Sequence, residues 1–299
     1  MKISYLNDAF FSRLEAMSLN LKSNLAGYFG GKHLVKTYGQ TVEFADFREY
    51  QLGDDIRRID WNLFSRFEKY FLRLFTDERQ MQVQIFLDCS GSMGKMGSEK
   101  ASYAIAAAAA LGFLAVQNMD KLTFQFMNGT HSENPFGTIV GKNAFFRAIS
   151  AFETIEFGEE VDIEKCVISC PETGDNNGLS VIISDFMTES NWKKAVDYLC
   201  YKKRQVMLLQ ILTPEESDPT YEGRVNFIDA ESVDMADAKN MKLRVTRAML
   251  EAYQEALRDF KEDIRIFSSK RGVDYITVST NAPIERVFFG ELLKGGIMS

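Results

Sequence analysis

Histidine is nearly missing from this 299-residue chain, which holds only His33 and His131. That shortage removes most zinc centres and most serine or cysteine nucleophile schemes, since both lean on imidazole. Cysteine is sparse too, at four. Cys89, Cys166, Cys170 and Cys200 read as reduced, buried or half-buried thiols, although Cys166 and Cys170 stand four apart and could share a helix face. Nor is there a basic excess. The formal net charge is −7, which makes nucleic acid a poor partner, because neutralising phosphates takes a basic footprint. Residues 1–80 are close to neutral, so the acidity belongs to the remainder. No apolar run is long enough to cross a bilayer. The longest uncharged one, Ala104 to Val116, falls short of the roughly 20 residues required. Asp8 and Arg13 interrupt any signal-peptide h-region, and the expectation is a cytoplasmic protein. Internal repeats and low-complexity linkers are also lacking.

What is present is ample apolar material. Hydrophobic residues make up 45% of the chain and charged residues 26%, enough for one large α/β domain with an extension. Phe10, Phe11, Leu14, Met17 and Leu21 recur at helical spacing and predict a helix over 7–22. Gly27, Gly30 and Gly31 mark a loop, and residues 34–80 read as irregular, rich in aromatic and paired charged residues. From residue 81 strands and helices alternate. Strands are predicted at 83–88, 121–127, 138–140, 179–184, 205–212 and 273–279. Helices are predicted at 98–117, 143–152, 163–169, 192–201, 246–268 and 284–293. Asn128-Gly129 signals a hairpin, and 224–228 with 241–245 predicts a second one. Such alternation implies a doubly wound, mostly parallel sheet with helices on both faces. The division expected is an N-terminal extension over 1–80 and a main domain over 81–299.

Ligands in such sheets bind outside the carboxyl ends of the strands. Two apolar strands here end in aspartate, at Asp88 and Asp185. If those strands are neighbours, the two carboxylates converge. Asp88 also opens the run Asp88-Cys89-Ser90-Gly91-Ser92, which offers one carboxylate and two hydroxyls at a single turn. Hard divalent cations prefer an all-oxygen set of that kind.

Enzymatic readings of the same turn lack companions. An aspartyl phosphatase needs a second aspartate two residues on, where Ser90 stands. A cysteine phosphatase needs an arginine six residues after Cys89, where Lys95 stands without the planar fork. A serine hydrolase elbow needs glycine where Ser90 precedes Ser92, and its base would be His33 or His131. Gly91, Gly94 and Gly97 precede a helix, but Met96 follows Lys95 where a phosphate-binding loop requires Ser or Thr.

The Asp88-x-Ser90-x-Ser92 turn resembles the metal-ion-dependent adhesion site of von Willebrand factor A domains. Carried over residue by residue, Asp88, Ser90 and Ser92 match directly, and Asp185 matches the later aspartate. Val161 stands where relatives carry a threonine, so an oxygen is missing there, with Glu159, Glu160 and Asp162 as neighbours that could compensate. The long stretch Phe44 to Asn62, with Phe75-Thr76-Asp77-Glu78-Arg79, Phe227 to Glu231 and the 273–294 strand and helix, resembles the domain-of-unknown-function 58 family over about 20–294. The resemblance implies a non-enzymatic protein-interaction domain holding Mg²⁺ or another divalent cation such as Mn²⁺ or Ca²⁺. It further implies work with a MoxR-type AAA+ ATPase in chaperone-like assembly. The alternatives are a metal-assisted hydrolase in the same crevice and a scaffold with a vestigial metal site. Within 44–62, Arg48, Asp54, Asp55, Arg57, Arg58, Asp60 and Trp61 form a candidate partner-docking set, weighed against a self-contained ion network that merely fixes the extension.

Overall fold

The computed structural model describes residues 8–21, 43–51, 54–76, 81–94, 98–158, 160–173, 178–220, 223–228 and 240–284. The expected glycine loop at 27–31 and all but the first residue of the expected helix 284–293 lie outside that set. The chain divides into two compact units, residues 31–80 and residues 1–30 with 81–299. Helix α1 (Asp8–Leu21) belongs to the larger unit, not to the extension with which the sequence grouped it.

The smaller unit is more ordered than its sequence implied. Strands β1 (Glu43–Glu49) and β2 (Phe71–Thr76) pair antiparallel, with a register shift between Phe44 and Asp46. Between them lie a 3-10 turn at Ile56–Arg58 and helix α2 (Trp61–Phe67). Charged residues interrupt the apolar alternation of β1, and its partner lies far along the chain, so neither cue was local. Asp55 caps the 3-10 turn by accepting from the Arg57 amide, and Asp60 caps α2 by accepting from the amides of Asn62 and Leu63.

The larger unit is built on a six-stranded sheet. Its strands are β3 (Gln82–Asp88), β4 (Lys121–Asn128), β5 (His131–Glu133), β6 (Gly178–Ser184), β7 (Gln205–Leu212) and, after a separate antiparallel pair β8 (Gly223–Ile228) and β9 (Asn240–Val245), β10 (Asp274–Ser279). The order across the sheet is β10-β7-β6-β3-β4-β5, parallel except for the edge strand β5. This is the doubly wound class expected from the alternation. The hairpin after Asn128 turns back sooner than predicted. Gly129 takes φ +57° and the return strand is 131–133, while the predicted strand at 138–140 contributes one isolated bridge, Leu122 to Ile139.

Alternation along each strand splits the core in two. Val83, Ile85, Leu87, Val181, Ile183, Leu209 and Ile211 face α3 (Glu99–Gln117), α4 (Lys142–Ser150) and α1, while Phe86, Ile182 and Leu208 face α5 (Ile163–Ile168), α6 (Trp192–Tyr201) and α8 (Arg247–Ser269). Ser98 caps α3 by accepting from the Ala101 amide. Among the described residues α3 is the one helix long and apolar enough to cross a membrane by length and composition, and 89% of that stretch is buried within the fold. Its alanines let the helix lie close to the sheet. At Gly112 the approach is tightest, since a Cβ there would meet Phe124 at 2.7 Å and Leu122 at 2.9 Å.

Two consequences can be measured. Gly112→Ala gains helix propensity, worth about 1 kcal/mol, yet forces a buried ring to move. Overpacking of this kind costs about 1–3 kcal/mol, so urea unfolding should show a net loss of stability. The second concerns Asp120, buried between α3 and β4. Its Oδ1 accepts from the Met81 amide at 2.8 Å, and its Oδ2 has no partner among the described residues. Burial pushes its carboxyl from 3.8 up to about 6. The folded state therefore holds the proton more tightly than the unfolded one. The stability this contributes is complete below 3.8 and is lost as pH rises through about 6. Asp120→Asn keeps the acceptor and removes the titration. Relative to wild type it should gain roughly 2–3 kcal/mol between pH 4 and pH 7, read from denaturant midpoints across that range.

Candidate functional site

The strand order reverses between β3 and β6, which leave the sheet on opposite sides of one crevice. Register pairs Leu87 with Ile183, so Asp88 and Asp185 emerge side by side, both almost fully buried. Ser184 ties Asp88 to the turn after β6. Its hydroxyl donates to Asp88 Oδ2 at 2.5 Å and accepts from the Phe186 amide at 2.9 Å, holding Phe186 in a left-handed conformation at φ +59°. Asp88 Oδ1 accepts from the Ser90 amide at 2.9 Å, which closes the turn after β3. Ser90 and Ser92 hydroxyls lie 3.0 Å apart and share a hydrogen bond. Gly94, at φ +92°, leads the chain into α3, where a Cβ would meet Ser98 Oγ at 2.5 Å. The structure thus brings Asp88, Ser90, Ser92 and Asp185 into one neighbourhood.

It adds two residues that the motif did not predict. Lys100, in the first turn of α3, is only 4% exposed. Its Nζ donates to Asp185 Oδ2 at 2.8 Å, to the Ser92 carbonyl at 3.1 Å and to Glu216 Oε1 at 2.7 Å. Glu216 comes from α7 (Pro214–Ser217), a single turn after β7 that the sequence reading passed over. A reciprocal capping box fixes it: the Thr213 amide donates to Glu216 Oε2, and the Glu216 amide donates to the Thr213 hydroxyl. Thr213-Pro214-Glu215-Glu216 carries that signature in plain sequence. From α8, the Tyr253 hydroxyl donates to the Glu216 carbonyl at 2.7 Å and Gln254 donates to Asp218 at 2.6 Å. From β7, Gln210 donates to the Asp185 carbonyl at 2.9 Å.

The electrostatics follow from burial. Desolvation, then the charge of Asp185, raises the Asp88 carboxyl from 3.8 to about 6, although bonds from Ser184 and Ser90 pull the other way. Desolvation works against the Lys100 ammonium, yet Asp185 and Glu216 together outweigh it and hold its pKa above the ordinary 10.5. Cys89, next to Asp88, is buried, and desolvation pushes its thiol well above 9.0. A thiol so disposed is no ready nucleophile. His131 is exposed on the edge strand, 3.5 Å from Glu133, and His33 and Lys95 lie outside the described residues.

Val161 is buried in the α5–α6 core and offers no side-chain oxygen. Asp162 does not replace it, being the N-cap of α5 and paired with Lys165 at 2.8 Å. Glu160 is exposed, and Glu159 lies outside the described residues.

The candidate docking set of the smaller unit splits by role. Arg48 pairs with Asp54 at 2.8 Å, and Asp54 also accepts from the Gln51 amide. Asp55 and Asp60 serve as caps. These four are structural. Trp61 and Arg57 are different, lining a groove of about 460 Å³ with Tyr50, Ile56, Ile59 and Tyr70. Ile56 is 63% and Trp61 61% exposed. The Arg58 side chain lies outside what the structure describes.

The family model described as "Protein of unknown function DUF58" matches residues 46–262. Uncharacterised proteins of Mycobacterium bovis and Mycobacterium tuberculosis are each 29% identical over 223 residues, spanning 73% of this chain and 70% of theirs. Among solved structures, an aerotolerance-related membrane protein from Bacteroides fragilis is 16% identical with a TM-score of 0.42, over 69% of this chain and 96% of that one. The conserved hypothetical protein BatB from Bacteroides thetaiotaomicron is 14% identical with a TM-score of 0.41, over 73% and 99%. A von Willebrand factor type A protein from Catenulispora acidiphila is 10% identical with a TM-score of 0.33, over 48% and 35%.

Ser184 offers a direct check on the crevice. Ser184→Ala leaves Asp88 Oδ2 without its hydroxyl donor and the Phe186 amide without an acceptor, at a cost of about 1–3 kcal/mol in chemical denaturation. Because that hydrogen bond favours the charged carboxylate, Asp88 should titrate above its value of about 6 in the variant, read by carboxyl-carbon NMR.

Proposed function

This chain belongs to the DUF58 family, and from that premise we propose that it is a non-enzymatic protein-interaction domain. In this reading it docks a MoxR-type AAA+ ATPase and takes part in chaperone-like assembly or maturation of other proteins. The observation that carries the interaction role is the exposed aromatic groove of the 31–80 unit. Ile56, Trp61 and Tyr70 present large apolar surfaces to solvent, Arg57 supplies a cation at the rim, and the Arg48–Asp54 pair and the two aspartate caps hold the frame rigid. Exposed apolar clusters with polar rims are the usual mark of a docking site, and Trp and Arg are the side chains that most often dominate one. The ATPase as partner rests on the family resemblance alone.

The crevice supports the non-enzymatic part of the reading. The thiol beside Asp88 is pushed up by burial, and both carboxylates are engaged by donors from this chain. The metal expected from the motif is a poor fit to the same residues, so no step of the interaction is routed through it. A second reading, a scaffold whose metal site is vestigial, draws support from the buried Val161.

The test is binding of a purified MoxR-type ATPase from the same genome, with ATP present, measured by biolayer interferometry. Trp61→Ala should weaken it roughly 30-fold or more, the loss of about 2 kcal/mol expected for a central aromatic. Being largely exposed, Trp61 should leave the melting temperature nearly unchanged. Undiminished affinity in the variant would move the docking surface elsewhere. No binding of any such ATPase would remove the partner.

A further inference from the structure

The geometry points to Lys100 as a built-in cation that takes the place of a divalent metal at the Asp88–Ser90–Ser92–Asp185 crevice. This inference is independent of the docking groove, since it concerns a different set of side chains and needs no partner protein.

Consider first what a divalent ion would require. Mg²⁺ seeks near-octahedral oxygen ligation, and Ca²⁺ seeks still more oxygens. The motif offers two carboxylates and two hydroxyls, and Val161, buried in the α5–α6 core, adds no side-chain oxygen. Each offered oxygen already has a protein partner. Asp88 Oδ1 and Oδ2 accept from the Ser90 amide and the Ser184 hydroxyl, Asp185 Oδ1 accepts from the Met187 amide, and the two serine hydroxyls bond each other. Those bonds alone would leave lone pairs for a cation. The ammonium would not. It bonds the remaining oxygen of Asp185 and the carbonyl of Ser92, the residue that carries the second hydroxyl. A dication reaching Asp185 and Ser92 would sit against a positive charge whose side chain is only 5% exposed.

Consider next what the ammonium achieves. Asp88 and Asp185 are brought together at the carboxyl ends of β3 and β6, where like charges repel. Lys100 supplies a cation from α3 on the Asp185 side of the pair, and Glu216 closes the arrangement from α7 with a side chain 30% exposed. Three donor positions of the ammonium are met by three acceptors from three separate elements, the turn after β3, the end of β6 and α7. This is a finished, metal-free electrostatic site, not half of a metal shell.

The experiment uses the full chain stripped of metal. Titration calorimetry of wild type with Mn²⁺, and separately with Mg²⁺ to 10 mM or about that, should give no saturable heat, and the melting temperature should not shift. Saturable one-to-one binding tighter than about 1 mM that Asp88→Ala abolishes would overturn the inference. Lys100→Met keeps most of the side-chain volume and removes the charge. It should lower the melting temperature on the order of 10 °C, because Asp185 is left buried without its counter-ion. An unchanged melting temperature would also overturn it. If Lys100→Met does not fold, Lys100→Met/Asp185→Asn decides the matter. Removing both charges should recover most of the loss, whereas a double variant no more stable than the single one would count against Lys100 as the compensating cation.

Discussion

Parallel pairing of β3 with β6 is the constraint from which the crevice follows. Once Leu87 sits opposite Ile183, the chain has no choice about where Asp88 and Asp185 emerge. Two carboxylates then share a space nearly closed to water, where desolvation and mutual repulsion both oppose ionisation. Everything around them answers that cost. Ser184 and the Ser90 amide donate to one carboxylate, the Met187 amide and Lys100 to the other, and Gln210 secures the backbone of Asp185 from the neighbouring strand.

The response reaches well beyond the turn. Lys100 points into the crevice because Ser98 starts α3 there, and α3 can start there because Gly94 permits the bend before it. Glu216 arrives because α7 is capped on both sides and held by Tyr253 of α8. The small turn of α7 therefore links the long C-terminal helix to the centre of the sheet. The hydrophobic core and the polar crevice are not separate achievements. The same strands that bury Val83, Ile85 and Leu87 against alanine-rich α3 carry the aspartates at their ends.

In the 31–80 unit the division of labour is cleaner. Among the described residues, Arg48 with Asp54 and Lys69 with Glu49 form ion pairs and Asp55 and Asp60 serve as caps, while large aromatics such as Trp61 stay exposed. A dense run of mixed charge in sequence thus held two kinds of information. Arg48, Asp54, Asp55 and Asp60 specify the loop, and Ile56, Arg57 and Trp61 specify its outer face.

Much was legible in the sequence. Local patterning carried the fold class, because an apolar strand covered on both faces and an amphipathic helix leave different periodicities in the chain. It carried Asp88, Ser90 and Ser92, which lie within one turn, and Asp185, which ends a second apolar strand. It also held the capping box of α7, although the box acquires a role only when Glu216 meets a partner. Other features were not local. β1 and β2 depend on pairing across more than twenty residues, which no window reveals. The early return of β5 depends on which segment the edge of β4 accepts. Most of all, nothing in the local sequence marks Lys100, a lysine in the first turn of a helix. Only the tertiary structure places it 2.8 Å from Asp185, 85 positions away, and 2.7 Å from Glu216, 116 positions away. The sequence determined which carboxylates and hydroxyls would gather. The packing of α3 and α7 over the strand ends decided that Asp185 would meet Lys100 and that Lys100 would meet Glu216, because electrostatic partnership depends on distance in space and burial, neither of which is written in order along the chain.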